Sequence, residues 1–360
     1  MGFWSRLAAG AAAYLFVSAS SVSAQSIRVF TDWQAACDNL RACSLLGLSP
    51  EDTGVYAFIQ LRRGGEPLAP LDASFVFSFE TELPELPLEI TFTPPGAPDL
   101  FAQPPVARIG RDGLLRIDLD AEATTKLLEA LRKTDQVRVR RLDDAPPEES
   151  ETIISLKGAA AGMRWMDDQQ QRVGTVTALV ARGERPASAT PQPTAIPTYT
   201  PAAYQPRQLD GKAPADVVAL WRKNCPDRET FDEGEEIGHQ IAAETTLWQL
   251  PCFQGAYNFG VLFVTQGRTG PPRLVPFERP ENGKLKTDTN ELTSGEFNDE
   301  DRTVFFFHKG RGLGDCGSRG SYVWDGRAFR LTLWQEMTEC RGAPLELWPT
   351  LWRANVRARR

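Results

Sequence analysis

The sequence predicts a mainly β protein with a few helices (α+β), built as two β-rich antiparallel domains joined by a linker rich in proline, alanine and threonine. Several segments, GVYAFIQL and SFVFSFE among them, place apolar residues at every second position, the period of two that marks half-buried strands. Asn-Gly and Asp-Gly pairs lie between such segments and favour the tight turns of β-hairpins. Strands and helices do not alternate regularly, which argues against a doubly wound parallel sheet.

The first predicted domain, Gln25–Glu184, is a run of strands followed by helices and further strands. A hairpin turn is expected at Asp112-Gly113. A helix follows, because apolar residues recur there at helical spacing and Asp120 is suited to the N-cap. After the strands QVRVR and TIISLKG, a second helix is expected from about Ala159 to Gln171.

The second predicted domain, Arg207–Arg360, opens with a short helix, PADVVALWRK, whose Pro214 suits the first helical turn. The remainder is typical of strands, with hairpin turns expected at Asn282-Gly283 and Asp325-Gly326. Between the two domains, Arg185–Pro206 contains six prolines and has no hydrophobic periodicity. This segment is therefore predicted to be an extended, flexible linker.

The first 24 residues have the layout of a cleaved secretory signal: Arg6, an apolar run from Leu7 to Val17, and small residues before an expected cleavage site after Ala24. The alternative is an N-terminal anchor helix, but the run is shorter than the about 20 residues of a membrane span. We therefore expect an exported chain with no membrane span after cleavage. Without Arg6, 39 basic residues (40 minus 1) face 47 acidic ones, a formal charge of −8. Such a surface argues against nucleic acid as a partner.

Six cysteines follow this signal, and an even number in an exported chain indicates three disulfides. Many pairings are open to six cysteines, and the favoured ones are Cys37–Cys43, Cys225–Cys252 and Cys316–Cys340. The last pair poses a difficulty. A hairpin turn at Asp325-Gly326 would place Cys316 opposite position 335, five residues, or about 17 Å, short of Cys340.

Gly312, Gly314 and Gly317 spell G-x-G-x-x-G, the phosphate-binding fingerprint of dinucleotide-binding proteins. That fingerprint requires a helix directly after the glycines, whereas the residues that follow here predict a hairpin. The glycines are therefore expected to form a tight loop, and no cofactor is expected. A catalytic triad would have to use His239 or His308, but no G-x-S-x-G elbow occurs, and each histidine is expected to be packed or solvated.

Two acidic runs, FDEGEE and EFNDED, could attract a hard cation, yet neither has the spacing of an EF-hand. Solvated loops and no metal are expected, since zinc-site patterns are missing as well. The two runs contribute Asp232, Glu233, Glu235, Glu236, Glu296, Asp299, Glu300 and Asp301. Paired carboxylates for glycoside hydrolysis stay an alternative, for which Asp315, Asp325 and Glu336 are the candidates.

Several motifs occur in order along the chain: FTDWQAACDNLRAC, LKG before DDQQQRVGTVTALVARG, LPCFQGAYN, RGLGDCG, YVWDGRAFRL and ECRGAP. Together they resemble the exported bacterial proteins of domain-of-unknown-function family 1176. The first half alone is also similar to the invasion-associated locus B family, which consists of small exported β-rich proteins. The resemblance implies a periplasmic location and structural cysteines, and it carries over no catalytic residue.

The expected function is that of a non-enzymatic periplasmic module that binds a protein or an envelope component. The absence of a catalytic pattern, the aromatic residues of the second domain and a flexible linker suited to two-point contact favour this interpretation. The aromatic residues expected to form the binding surface are Trp248, Tyr257, Trp324, Trp334, Trp348 and Trp352. The alternatives are an envelope glycan hydrolase that uses carboxylates, and a periplasmic redox or folding factor, although the C-x-x-C spacing of redox thiols is missing.

Overall fold

The structure, a computed structural model, describes residues 27–51, 55–78, 85–95, 99–142, 150–225 and 236–357. The expected signal peptide with its cleavage site after Ala24 lies outside these residues, as do Asp232, Glu233 and Glu235 of the first acidic run. In the part described, strands far outnumber helices, which confirms a mainly β fold with a few helices. None of those helices is long and apolar enough to cross a membrane.

The N-terminal half is built on a ten-stranded sheet in which all neighbouring strands are antiparallel. Its strands are β1 (Ile27–Phe30), β2 (Trp33–Cys37), β3 (Cys43–Gly47), β4 (Tyr56–Arg63), β5 (Leu71–Ser78), β6 (Glu85–Thr93), β7 (Val106–Ile109), β8 (Leu115–Asp118), β9 (Gln136–Arg141) and β10 (Glu151–Ser155). The sheet order is β1-β2-β3-β4-β5-β8-β7-β6-β9-β10, so β6 to β8 are inserted in reverse between β5 and β9. The predicted turn at Asp112-Gly113 joins β7 to β8.

Two helices, α1 (Ala121–Lys133) and α2 (Ala159–Gln169), contribute to the main hydrophobic core of this half. Asp120 caps α1 as predicted, and its carboxylate accepts the N–H of Ala123 at 2.8 Å. Helix α2 ends two residues before the predicted Gln171, because Gln171 adopts a φ of 57°. A helix cannot continue through a residue in this left-handed conformation.

The C-terminal half, from residue 207 onward, stacks a helix and two sheets. Helix α3 (Ala215–Asn224) covers one face of a six-stranded sheet, and the other face of that sheet packs on a five-stranded sheet. The six strands are β12 (Arg207–Leu209), β13 (Ile237–Ala242), β14 (Thr245–Gln254), β15 (Phe259–Gly267), β16 (Arg273–Leu274) and β19 (Glu291–Thr293). The five are β20 (Glu296–Asn298), β21 (Thr303–Lys309), β22 (Gly317–Trp324), β23 (Phe329–Met337) and β24 (Thr350–Arg353).

A hairpin, β17 (Phe277–Glu281) and β18 (Lys284–Thr289), lies between these strands in the sequence and turns at the predicted Asn282-Gly283. Strand β17 packs against β23 of the five-stranded sheet. The other predicted turn, at Asp325-Gly326, joins β22 to β23. The hairpin therefore forms a wall beside the five-stranded sheet.

The segment 185–206, expected to be a flexible linker, contacts both halves. On one side the hydroxyl of Thr194 donates to the carbonyl of Asn39 at 3.2 Å, and on the other the N–H of Ala202 donates to the carbonyl of Trp324 at 2.8 Å. Within the segment, β11 (Thr198–Tyr199) lies parallel to β25 (Asn355–Val356), a departure from the antiparallel pairing expected throughout. These contacts are not those of a freely moving linker, and the division into two domains stays a prediction.

The two halves also share a hydrophobic core. Leu46, Leu48, Phe58 and Val76 of the N-terminal half cluster with Met337, Leu347 and Trp348 of the C-terminal half. Arg341 reinforces this contact, since its guanidinium lies 2.9 Å from Asp32 Oδ1 and donates to the carbonyl of Ser49. The ten-stranded sheet and the five-stranded sheet are thus joined by apolar and polar contacts.

Candidate functional site

All six cysteines lie in the three pairs favoured from the sequence. The two sulfur atoms are 1.95 Å apart in Cys37–Cys43, 1.99 Å in Cys225–Cys252 and 1.92 Å in Cys316–Cys340. The first pair closes the turn between β2 and β3, the second links α3 to β14, and the third joins the start of β22 to the chain beyond β23. Each therefore fastens an element to a sheet.

The expected distance of five residues along the strand between Cys340 and the position opposite Cys316 is smaller in the structure. The turn is longer than predicted, and the register of β22 against β23 is shifted. Trp324 pairs with Phe329, so the turn between them is longer than a two-residue turn at Asp325-Gly326. A bulge beyond Ser321 then shifts the register by another residue, and Gly317 pairs with Met337. Continuing that register places Cys316 opposite position 338 instead of 335, two residues from its partner.

The expected binding surface of six aromatic residues needs correction. The exposed fractions of Trp248, Trp324, Trp348 and Trp352 are 5%, 6%, 3% and 8%, so these four rings belong to hydrophobic cores and cannot form a surface. Tyr257 is 44% exposed, and Trp334 is partly buried. Sequence alone could not separate these rings, because each occurs in or beside a strand and either face of that strand could be covered.

Trp334 lies in a cleft of about 470 Å³ between the β17–β18 hairpin and the five-stranded sheet, here called the β22–β23 cleft. This volume is within the range of small-molecule sites, about 300–1,000 Å³. The polar residues that line it, together with Trp334, are Glu278, Arg279, Thr289, His308, Ser318, Tyr322, Glu336 and Thr338. The Cys316–Cys340 disulfide and Met337 close one end.

Three polar residues form a row across the sheet inside this cleft. His308 on β21 pairs with Ser318 on β22, and Ser318 pairs with Glu336 on β23. Directly paired residues project from the same face of a sheet with Cβ atoms about 5 Å apart. Among the described residues, none hydrogen-bonds to the Ser318 hydroxyl or to the His308 ring. Both groups are therefore available to a ligand.

A rigid aromatic wall lies beside this row. Two residues along on the same face of the sheet, Gly320 is paired with Phe306 on one side and with Trp334 on the other. The ring centroids of Phe306 and Trp334 are 4.9 Å apart. A Cβ atom at Gly320 would lie 2.8 Å from Phe306 Cε1, so the glycine leaves room for the two rings to meet. The Trp334 indole N–H also donates to Glu336 Oε2 at 3.1 Å. The tilted contact with Phe306 and the hydrogen bond to Glu336 together fix the orientation of the Trp334 ring.

The Tyr322 hydroxyl, which lines the cleft, already has a partner within the protein. The Tyr322 hydroxyl donates to the Glu278 carbonyl at 2.7 Å. Burial, with a smaller contribution from the Glu278 charge, raises the pKa of Tyr322 well above its usual range. The hydroxyl therefore stays protonated and bound to that carbonyl, and polar contacts with a ligand fall to the His308–Ser318–Glu336 row and the hairpin.

The glycine fingerprint forms a loop beside the cleft, as predicted. Strand β22 begins at Gly317, so a strand and not a helix follows the three glycines. Gly317 has a φ of 129°, and a Cβ atom there would lie 1.9 Å from the His308 carbonyl oxygen. The glycine is needed because the chain must pass this close to β21 on its way to the disulfide.

His239 lies in a separate cleft of about 500 Å³ at the edge of the six-stranded sheet. Its Nδ1 is 3.0 Å from Asp299 Oδ2, and its Nε2 is 3.1 Å from Gln249 Nε2. The side-chain oxygen Oε1 of Gln249 accepts the N–H of Phe297, so the side-chain nitrogen Nε2 donates to His239. The Nδ1–H of His239 then donates to Asp299. Both ring nitrogens are occupied, which fits a structural histidine better than a general base.

The acidic run 296–301 caps its own turn. Asn298 Oδ1 accepts the N–H groups of Glu300 and Asp301, at 2.8 and 2.9 Å. At the start of β13, Glu236 accepts the N–H of Ala213 at 3.1 Å. In the part of the chain that the structure describes, no three or more His, Cys, Asp or Glu side chains are grouped so as to hold a metal ion.

Two of the three carboxylates considered for hydrolysis are paired with arginines. Asp325 caps the β22–β23 turn and lies 2.8 Å from Arg330, and Asp315 lies 2.6 Å from Arg311 and accepts the Gly342 N–H at 2.7 Å. Burial by itself raises the pKa of Asp315, but the hydrogen bonds from Arg311 and Gly342 outweigh it and lower that pKa below its usual value. Both contacts favour an ionised, structural carboxylate. Glu336 alone of the three lines the β22–β23 cleft.

Asp315→Asn should lower the free energy of unfolding at neutral pH, and the deficit should shrink in acid. Because the folded-state pKa of Asp315 is lowered, its stabilising contribution is complete above the unfolded-state pKa of about 3.9 and is lost as the pH falls through the folded value. Urea unfolding of both proteins from pH 7 to pH 3 measures the gap. Glu85→Gln is the control, since its pair with Arg108 is exposed. A gap that stays constant down to pH 3 would show that the charge is not involved.

Comparison with known proteins places the chain in a family. The chain is 28% identical over 356 residues to the uncharacterized protein YpfG of Escherichia coli strain K12. The alignment covers 92% of this chain and 93% of that protein. No solved structure matches it. The similarity of the first half to the invasion-associated locus B family stays a resemblance. The family model described as "Protein of unknown function (DUF1176)" matches residues 27–355, which confirms the resemblance seen in the motifs and shows that the chain belongs to this family.

Proposed function

We propose that this protein is a non-enzymatic binding module of the periplasm and that its ligand or protein partner occupies the β22–β23 cleft. The observation that carries the proposal is the row His308–Ser318–Glu336 beside a fixed Trp334 ring in a cleft of about 470 Å³. A mainly apolar recess with a few convergent polar groups is the usual form of a binding site.

An exported location is supported by the three disulfides, since such bonds persist in oxidising compartments. The signal-like first 24 residues support export as well. The segment 185–206 contacts both halves, so the expected flexible linker no longer supports two-point binding. The proposal therefore rests on the cleft alone.

Site-specific photo-cross-linking in cells tests the proposal. A photoreactive amino acid replaces Arg279, an exposed residue at the rim of the cleft, in the full chain. The matched control replaces Arg138, an exposed arginine on β9 of the N-terminal half. We expect a reproducible cross-linked species from position 279 that position 138 does not give and that Glu336→Gln weakens. Equal cross-linking from both positions, or none from position 279, would overturn the proposal.

A glycan hydrolase is the second candidate, and one observation favours it. Glu278 and Glu336 line the cleft from opposite walls, on β17 and β23, and a glycosidase needs two carboxyl groups on either side of the scissile bond. Turnover of peptidoglycan fragments that disappears in Glu336→Gln would establish it. A redox role has less support, because the structure leaves no cysteine unpaired.

A further inference from the structure

We propose that the β22–β23 cleft recognises a hydroxyl-rich, non-anionic ligand, namely a short segment of neutral or amino-bearing glycan. The inference rests on the proposed function and specifies the chemistry of its ligand. It follows from three properties of the cleft: the carboxylate acceptors of its lining, the sign of its charge and the fixed aromatic ring.

Two carboxylates are among the polar groups of the residues that line the cleft. The carboxylates of Glu278 and Glu336 only accept hydrogen bonds, and the hydroxyl of Ser318 can both donate and accept. Glu336 uses Oε2 for the Trp334 indole, and among the described residues no donor is bound to its Oε1. A ligand that satisfies these groups must bring donors of its own, as the hydroxyl and amine groups of a sugar do.

The charge of the cleft disfavours the binding of acidic ligands. Two carboxylates, Glu278 and Glu336, face one guanidinium, that of Arg279, so the formal charge of the lining acids and arginine is 1 − 2 = −1. A carboxylate or phosphate in this space would meet like charge at short range, which is unfavourable. A neutral ligand meets no such repulsion, and an amino group is attracted by the two carboxylates.

The Trp334 ring gives such a ligand an apolar platform. Its tilted contact with Phe306 and its hydrogen bond to Glu336 hold the ring in place before any ligand arrives. A platform that is already ordered costs less side-chain entropy on binding. The C–H face of a sugar ring can then cover Trp334 while its hydroxyl groups reach Ser318 and Glu336, which lie on the same face of the sheet.

Titration of the full-length protein with oligosaccharides of equal length tests the inference. The probes are N-acetylchitotetraose and maltotetraose as neutral glycans, chitosan tetramer as the amino-bearing one, and tetragalacturonate as the anionic one. Isothermal titration calorimetry should show binding of a neutral or amino-bearing tetramer and at least about tenfold weaker binding of the anionic one.

Glu336→Gln should weaken that binding about tenfold, because a hydrogen bond to a charged acceptor becomes one to a neutral acceptor. The matched control is Glu244→Gln, in an exposed pair with Arg268 away from the cleft, which should leave binding unchanged. Equal loss in both variants, or preferred binding of tetragalacturonate, would overturn the inference. If no tetramer binds while position 279 still cross-links a partner, the glycan inference fails and the binding proposal stands. If neither occurs, both fail.

Discussion

Asp167→Ala should lower the free energy of unfolding by about 3–5 kcal/mol, the usual cost of removing one partner from a buried ion pair. Asp167 lies near the end of α2 and is fully buried. Its Oδ1 is 3.1 Å from Arg63 Nη2 and accepts the N–H of Leu179 at 2.7 Å, and its Oδ2 accepts the N–H of Val180 at 2.9 Å. Alanine would leave all these donors without an acceptor.

The charge balance at Asp167 makes the loss larger than that of an ordinary hydrogen bond. Two buried arginines, Arg63 and Arg172, lie near this carboxylate. Burial, reinforced by the charge of Arg172 and opposed by that of Asp167, lowers the pKa of Arg63 to about 10. Without the carboxylate, two buried guanidinium groups would lose the one charge that opposes both, and only the Glu66 charge near Arg172 would remain.

The control for this prediction is Glu89→Ala, which removes a carboxylate 2.7 Å from Arg140 where both side chains are 47% exposed. Exposed pairs contribute only about 0–1 kcal/mol. Urea unfolding followed by circular dichroism compares the two variants. If Asp167→Ala costs no more than Glu89→Ala, the carboxylate does not hold the segment after α2 in place.

Local structure was predicted well from the sequence where neighbouring residues determine it. The strands, the cap at Asp120 and the hairpin turns at Asp112-Gly113, Asn282-Gly283 and Asp325-Gly326 all depend on neighbouring residues. The role of Asp167 could not be predicted, although it belongs to the recognised motif DDQQQRVGTVTALVARG, because its partner Arg63 is 104 residues away. Charge partners at such separations follow only from the folded sheet.

The candidate site was only partly foreseen, for the same reason. Glu336 was considered as a carboxylate and Trp334 as an aromatic contact, but their place in one cleft depends on the register of β22 against β23. The length of the turn and a bulge together set that register, and neither could be predicted from the residue types. His308 and Ser318 join the site through cross-strand pairing, which sequence spacing does not show.

Trp348→Ala should lower the free energy of unfolding by about 3–5 kcal/mol, the usual range for deleting a buried tryptophan side chain. Trp348 is 3% exposed, packs edge-on against Phe307 with centroids 5.8 Å apart, and donates its indole N–H to the Ala343 carbonyl at 3.2 Å. Because its cluster includes residues of the N-terminal half, we expect both halves to lose stability together.

Tyr257→Ala separates this structural role from a role in binding. Tyr257 belongs to the same predicted surface but is 44% exposed, so its removal should change stability by no more than about 0.5 kcal/mol. Denaturant unfolding followed by near-ultraviolet and far-ultraviolet circular dichroism reports on both variants. A stability loss for Trp348→Ala below about 1 kcal/mol, together with lost cross-linking from position 279, would return Trp348 to the binding surface. A large loss with coincident transitions would instead show that this ring joins the two halves.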